Sequence, residues 1–328
     1  MEASGHSTGT PSNGVHTIHI SDQARQAGCA TLLNTIEATQ HLSIDGVLVL
    51  ENVIEVEHLD RLRELLQPTA EEIAQDDTHD SDFEKHPRIM DQALPTMLDF
   101  MFEDVWSNRI AVSILQSLAG PNLRCHYANA NASLKAGGRQ LVRNDFDKPH
   151  PVNSFAFIIN IPLSDMDEEN GSPELWPGSH RDSFIQQHVT LPNDEWGFAI
   201  KPALVEQRRN ISPPVQPTVR KGSLIIRDIH LWHAGMPNRS DTPRTMLAFV
   251  IQPTWIHAPS KVTLPLETKA LVDGWKVNSG LEYAVHWVDG DADHEEVDSD
   301  DVEYSTGNSK WPLLESLMRP TPESISSL

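Results

Sequence analysis

Asp145 and His233 are a carboxylate and an imidazole of the kind that hold a divalent metal, and Arg143 stands two residues before Asp145. Two His and one carboxylate on one face leave three coordination positions open, which is what a non-haem Fe(II) centre needs to admit O2 and a co-substrate. Asp145 and His233 supply two of those three donors. Arg143 cannot supply the third, because a guanidinium has five N–H donors, no lone pair to give and a pKa above about 12. Arg244 adds a rigid fork suited to a terminal carboxylate, and Gln140 an amide able to donate to another carboxylate oxygen.

On an extended segment residues two apart share a face, so Arg143 and Asp145 project together toward the place a metal would take. Two outcomes are open. Arg143 pairs with Asp145 and replaces the missing cation, since an unpaired buried carboxylate is costly. Alternatively Asp147, His150, His126 or His230 completes the ligand set, Asp147 being the easiest to align with Asp145. Each residue also has an ordinary reading: Asp145 as a turn acid after Asn144, His233 as a core imidazole beside Trp232, Gln140 as an exposed amide, Arg244 as an ion-paired strand start.

Five segments carry a resemblance together: Gln140-x-x-Arg143-x-Asp145, Glu169-Asn170-Gly171-Ser172, Pro177-Gly178-Ser179-His180, Asp228-x-His230-Leu231-Trp232-His233-Ala234-Gly235, and Arg244. Over roughly Ile44 to Val288 this resembles the phytanoyl-CoA dioxygenase family of Fe(II)/2-oxoglutarate oxygenases, with fungal and bacterial natural-product members most similar. The resemblance implies a mainly β fold with flanking helices and a double-stranded β-helix (jelly-roll, cupin-like) core. It implies that Asp145 and His233 ligate iron, that a His belongs at the position Arg143 occupies, and that Arg244, eleven positions beyond His233, clamps the distal carboxylate of 2-oxoglutarate. The two Gly-containing motifs read as tight turns, and His180 as structural.

Three functions follow. In the first the chain has no catalytic residue of its own and supports a homologous active oxygenase as a heterodimer in oxidative tailoring of an apolar small molecule, such as a terpenoid or polyketide. Trp106, Phe100 and Phe102 are interface candidates there, with core as their ordinary alternative. In the second the chain, as monomer or homodimer, is itself a dioxygenase using Fe(II), 2-oxoglutarate and a substituted ligand. In the third it binds a dicarboxylate through Arg244 without redox chemistry.

The elements that must position these residues fall into two textures. Helix is expected at Ala27 to Gln40 and at Val56 to Gln67, where Leu59, Leu62, Leu65 and Leu66 keep helical spacing and Pro68 stops or kinks the chain. A strand, Gly46 to Leu50, lies between them. A loop from Gln75 to His86 precedes an amphipathic helix with Met97, Phe100, Met101 and Val105 on one face, and then a helix from Ala111 to Leu118. From about residue 123 short strands separated by Gly, Pro, Asn and Asp take over: Arg124 to Ala130, Phe155 to Leu163, Ser223 to Ile229 and Arg244 to Gln252. The Pro-rich stretch Leu191 to Pro217 reads as an irregular lid or binding loop.

The 328 residues, 38% hydrophobic, suffice for one large core. The expected division is a disordered lead-in over 1–20, one domain over 21–288, and an acidic, partly disordered segment over 289–328. A formal charge of -22 argues against nucleic acid or an anionic membrane surface as partner, although Asp289 to Glu303 alone holds nine acids and no Lys or Arg. Cys29 and Cys125 cannot build a disulfide framework and fit a reducing, cytoplasmic compartment. The N-terminus lacks the basic and apolar regions of a signal peptide. The longest apolar run, Phe155 to Leu163, is far shorter than the roughly 20 residues a membrane helix needs.

Overall fold

The computed structural model describes residues 14–75, 88–146, 153–190, 196–257 and 260–290. Asp147, His150, residues 76–87 of the expected loop, residues 191–195 and residues 291–328 of the acidic segment lie outside them. In chain order the elements are β1 (Thr17–His19), α1 (Asp22–Ala27), α2 (Leu32–Asp45), β2 (Val47–Glu51), α3 (Val56–Gln75), β3 (Arg88–Gln92), α4 (Glu103–Trp106), α5 (Arg109–Ala119) and β4 (Leu123–Leu134). There follow β5 (Phe157–Pro162), β6 (Glu174–Leu175), β7 (His188–Thr190), β8 (Trp196–Ile200), α6 (Pro202–Ile211), β9 (Leu224–Asp228), β10 (His233–Ala234) and β11 (Arg244–Pro253). The last are β12 (Val262–Pro265), α7 (Lys269–Ser279), β13 (Leu281–Tyr283) and β14 (Val285–Val288).

The major sheet runs β1-β2-β9-β5-β11-β4-β13, with β3 also paired to β4. Its strands alternate between two apolar environments. Leu247, Phe249 and Ile251 of β11 join Phe157, Ile159, Leu224, Ile226 and Ala130 in one core under α2, α3, α5 and α7. Met246, Ala248 and Val250 point to the opposite face, as do Ile225 of β9 and Ile158 of β5. Period-two alternation thereby assigns Arg244, Arg227, Asn160, Asn129 and Tyr127 to that second, inner face.

A minor sheet covers the inner face. Val215 bridges Leu175 of β6, β6 pairs with β10, His233 of β10 bridges Arg143, Arg143 bridges Ala199 of β8, and β8 pairs with β7. Two sheets facing each other with helices outside one of them make the jelly-roll, cupin-like fold expected from the sequence.

The helical part departs from expectation in four places. The helix expected over Ala27 to Gln40 is two: Gly28, at φ 60°, closes α1 and Thr31 caps α2 by accepting from Asn34 N–H. Pro68 does not stop α3, which runs on for seven residues, because Ala70 is fully buried against Ala132 and Leu134 and that packing offsets the lost backbone bond. Leu65, expected on the buried stripe, is exposed. The Met97–Val105 helix is broken into a 3-10 turn and α4, with Asp104 turned to accept from the Glu55 N–H at 2.9 Å and to pair with His58 at 2.8 Å.

Two further expectations, one near the N-terminus and one in the Pro-rich stretch, also change. Thr17–His19, part of the lead-in expected to be disordered, forms a parallel edge strand because Val15, Ile18 and Ile20 are buried. Residues 196–211 of the stretch read as irregular form β8 and α6. Trp106 lies within the core against Phe249 and Trp275 and so is not an exposed interface residue, whereas Phe100 and Phe102 are half-buried at the edge of that core with Arg61 over both rings. No helix among the described residues is long and apolar enough to cross a membrane.

Candidate functional site

The site lies where the minor sheet crosses the major one. Segment 141–146 alternates as an extended chain should, Val142, Asn144 and Phe146 buried away from the cleft, Leu141, Arg143 and Asp145 on its side. Arg143 and His233 are locked in register by reciprocal backbone bonds, Arg143 N–H to the His233 carbonyl at 2.9 Å and His233 N–H to the Arg143 carbonyl at 2.8 Å. The flanking turn motifs hold this register. Ser179 Oγ accepts from the Trp232 N–H at 2.8 Å, and Gln140 Oε1 accepts from the Gly235 N–H at 3.0 Å. A Cβ on Gly235 would lie 2.6 Å from that oxygen, so a larger residue there would displace the Gln140 amide from this bond.

His233 presents one nitrogen to the cleft. Its Nδ1 is 3.0 Å from the Leu231 carbonyl, which can only accept, so Nδ1 carries the proton and Nε2 faces Asp145 Oδ1 at 3.3 Å. Burial lowers the imidazole pKa, opposed by the Asp145 charge. A neutral His233 therefore aims a lone pair at a carboxylate, an arrangement that calls for a cation nearby.

That cation is Arg227, which the sequence reading did not single out. Its Nη1 lies 2.7 Å from Asp145 Oδ2 as a charge contact, and its Nε donates to Asn160 Oδ1 at 2.9 Å. Burial pushes the Asp145 pKa up, but Arg227, then His233 and Arg143, bring it well below the usual carboxylate range. The expectation that Arg143 itself pairs with Asp145 is corrected: Arg143 makes no ion pair or hydrogen bond through its guanidinium among the described residues, and its Nε is buried without a partner. It acts on Asp145 and Asp91 only through space. Backbone bonding to both His233 and Ala199 fixes where its side chain starts, while Arg227 comes from the facing sheet with a shorter approach.

Of the alternative ligands, Asp147 and His150 lie outside the described residues, and the other two are engaged elsewhere. His126 is the extra residue of a β-bulge in β4, buried beside Ser260 with Nδ1 to Oγ at 2.7 Å. His230 pairs with Asp228 at 3.0 Å among Phe146 and Phe155. Gln140 spends its oxygen on Gly235, and His180 is buried under Gly46, structural as expected. Among the described residues no three His, Cys, Asp or Glu side chains are grouped to hold a metal. Among the described residues the donor set thus falls short of a three-ligand iron centre.

Arg244 does fit an acidic ligand. It is buried, with Nε donating to the Asn170 carbonyl at 3.1 Å and Nη2 to the Gly171 carbonyl at 3.1 Å. Among the described residues Nη1 is buried with no partner and no acid pairs with the group, and burial pulls its pKa down to about 10. The tight turn expected at Glu169–Ser172 is present and supplies both carbonyls, Asp167 Oδ1 accepting from the N–H groups of Glu169 and Asn170.

Other inner-face residues also escaped the sequence reading: Tyr127, Asn129, Asn160 and Asp91. Burial, then Asp91 and Asp145, raises the Tyr127 phenol to about 12. A charged Arg227 inside the apolar run Leu224-Ile225-Ile226 was the visible signal, since a lone cation there must meet an acid.

A two-sheet jelly roll with this cleft is the architecture of the cupin-like oxygenases. Residues 42–246 match the model of the family described as phytanoyl-CoA dioxygenase (PhyH), and the chain belongs to that family. A phytanoyl-CoA dioxygenase domain-containing protein 1 homolog of Dictyostelium discoideum is 28% identical over 110 residues, which is 34% of this chain and 39% of that protein's length. Among solved structures, the non-heme alpha ketoglutarate dependent carbocyclase SnoK from nogalamycin biosynthesis superposes with a TM-score of 0.50 at 19% identity, covering 78% of this chain and 93% of that one. The epimerase SnoN, in complex with Fe3+, alpha ketoglutarate and nogalamycin RO, gives 0.48 at 16% identity over 70% and 86%.

Proposed function

We propose that this protein is a catalytically impaired member of its family that supports a homologous, metal-competent oxygenase in the oxidative tailoring of a small molecule. The observation that carries this is the pair of substitutions around Asp145: Arg143 where the third donor belongs, and Arg227 at 2.7 Å from the carboxylate a metal would need. Retention of the cleft, of Arg244 and of His233 beside a lost ligand is what a supporting subunit keeps. Natural-product chemistry is supported by likeness to the nogalamycin enzymes named above. The small molecule bears polar groups, since Tyr127, Asn129 and Asn160 line the cleft beside Met246 and Ala248.

Without a third donor, this chain's own residues bind and orient rather than oxidise. Arg244 offers its free Nη1 to an anion, Gln140 and Ser179 keep the His233 strand in register, and Arg227 keeps Asp145 ionised. The second reading, an active dioxygenase, is favoured by the surviving orientation of His233 Nε2 toward Asp145.

The test is co-expression with a homologue carrying an intact Gln-x-x-His-x-Asp. The proposal expects co-elution, faster turnover by the homologue, and no 2-oxoglutarate consumption by this chain alone with Fe(II) and O2. Conversion of 2-oxoglutarate to succinate and CO2 by the chain alone overturns it, as does a homologue whose rate ignores the chain.

A further inference from the structure

Arg244 and Arg143 each hold a buried guanidinium nitrogen with no hydrogen-bond partner, and neither forms an ion pair among the described residues. Arg244 is buried with Nη1 free, and Arg143 has its Nε buried and free. Both reach the same inner face. In the strand register Arg244 stands opposite Ser133, and the next inner row, Met246 and Asn131, holds Asp91, the carboxylate that Arg143 acts upon. Arg143 starts from the facing minor sheet beside His233 with its side chain on the cleft side, so the two guanidinium groups approach one cleft from opposite layers, as a small dicarboxylate held between them requires. Asn129 Oδ1, one row further on, is a third buried polar atom with no partner.

We propose that Arg143 is a ligand-binding residue which, with Arg244, holds a small dicarboxylate between two guanidinium groups and without a metal. Arg244 takes one carboxylate through Nη1. Arg143 takes the other at the end where a metal-dependent relative would chelate its ligand. Arg227 is unavailable for this because Asp145 already engages it. A guanidinium fork on a carboxylate gives two parallel charge-assisted bonds, and a desolvated cation gains most from such a partner. This rests on the reading above that no metal occupies the site.

Isothermal titration calorimetry of the full chain with 2-oxoglutarate and with succinate, each in the presence of EDTA, tests it. The expected result is EDTA-resistant binding of both, weakened at least ten-fold by Arg143→Gln and less by Arg143→Lys, which keeps the charge and loses the fork. Thermal unfolding run on each variant separates lost binding from lost folding, with Arg143→Lys deciding if Arg143→Gln does not fold. No binding in EDTA, or unchanged binding by Arg143→Gln, overturns the proposal. Turnover by the chain alone would instead strike at the proposed function, so the two failures are distinguishable.

Discussion

Arg227 reaches across from the major sheet to place Nη1 at 2.7 Å from Oδ2 of Asp145, on the minor-sheet side of the cleft. The contact joins the two layers and neutralises the carboxylate at the point where a family relative would hold metal. Its partial burial makes it worth more than a surface pair, because neither charge can be left alone cheaply.

Replacing Arg227 with Met is accordingly expected to destabilise the protein by about 2–3 kcal/mol, below the full cost of breaking a deeply buried pair. Arg227→Met combined with Asp145→Asn should recover part of that loss. Urea unfolding of the two singles and the double, read as a double-mutant cycle, measures the coupling. A cycle that closes with no interaction energy would show that the pair is incidental.

Acid stability should be set first by buried imidazoles. Burial pushes the His126 pKa down to about 4, and burial also lowers His180 and His233. The unfolded chain takes up these protons near pH 6.5 and the folded chain only at lower pH, so stability falls as pH drops from about 6.5 toward 4. His126 alone contributes on the order of 3 kcal/mol to that fall. Asp145, held low, adds its loss only below the unfolded carboxylate value near 3.9. Denaturant midpoints at pH 7 and pH 5 should show the drop, with a shallower one in His126→Gln.

How much of this was legible in the sequence depends on the range of the interaction. Local alternation put Arg143 and Asp145 on one face, and short segments separated by Gly, Pro, Asn and Asp marked β4, β5, β9 and β11 to within a few residues. The break between α1 and α2 was written in Gly28 and Thr31 but was outweighed by apolar spacing around it. Arg227 could be suspected from its place in an apolar run, yet its partner could not be named. Eighty-two positions separate it from Asp145, and only closure of one sheet on another brings them together. For the same reason Arg143 was credited with a pairing that Arg227 makes. Pro68 was misjudged because burial of Ala70, a tertiary effect, overrides the local rule.

Gly171 ties the turn to the anion site. It sits at φ 80°, and a Cβ there would come within 3.0 Å of the Met236 carbonyl and 3.1 Å of the Asn238 nitrogen, both backbone atoms. Gly171→Ala is therefore expected to cost about 1–3 kcal/mol and to disturb the carbonyl that Arg244 Nη2 binds. Calorimetric unfolding checks the first effect, and weakened 2-oxoglutarate binding the second. Ala at Gly274, inside α7 with no atom within 4 Å of a built Cβ, serves as the control of opposite sign, expected to stabilise by up to about 1 kcal/mol.

Under the proposed function, Arg143 leaves the cleft without a competent metal centre. Anaerobic titration of the purified chain with Fe(II) and 2-oxoglutarate tests it directly, through the visible charge-transfer band that forms when the keto acid chelates iron. The account predicts no band from the wild-type chain and a band from Arg143→His, strengthened when Arg227→Met frees Asp145. A band from the wild-type chain would contradict it and make the protein a dioxygenase with a substituted ligand.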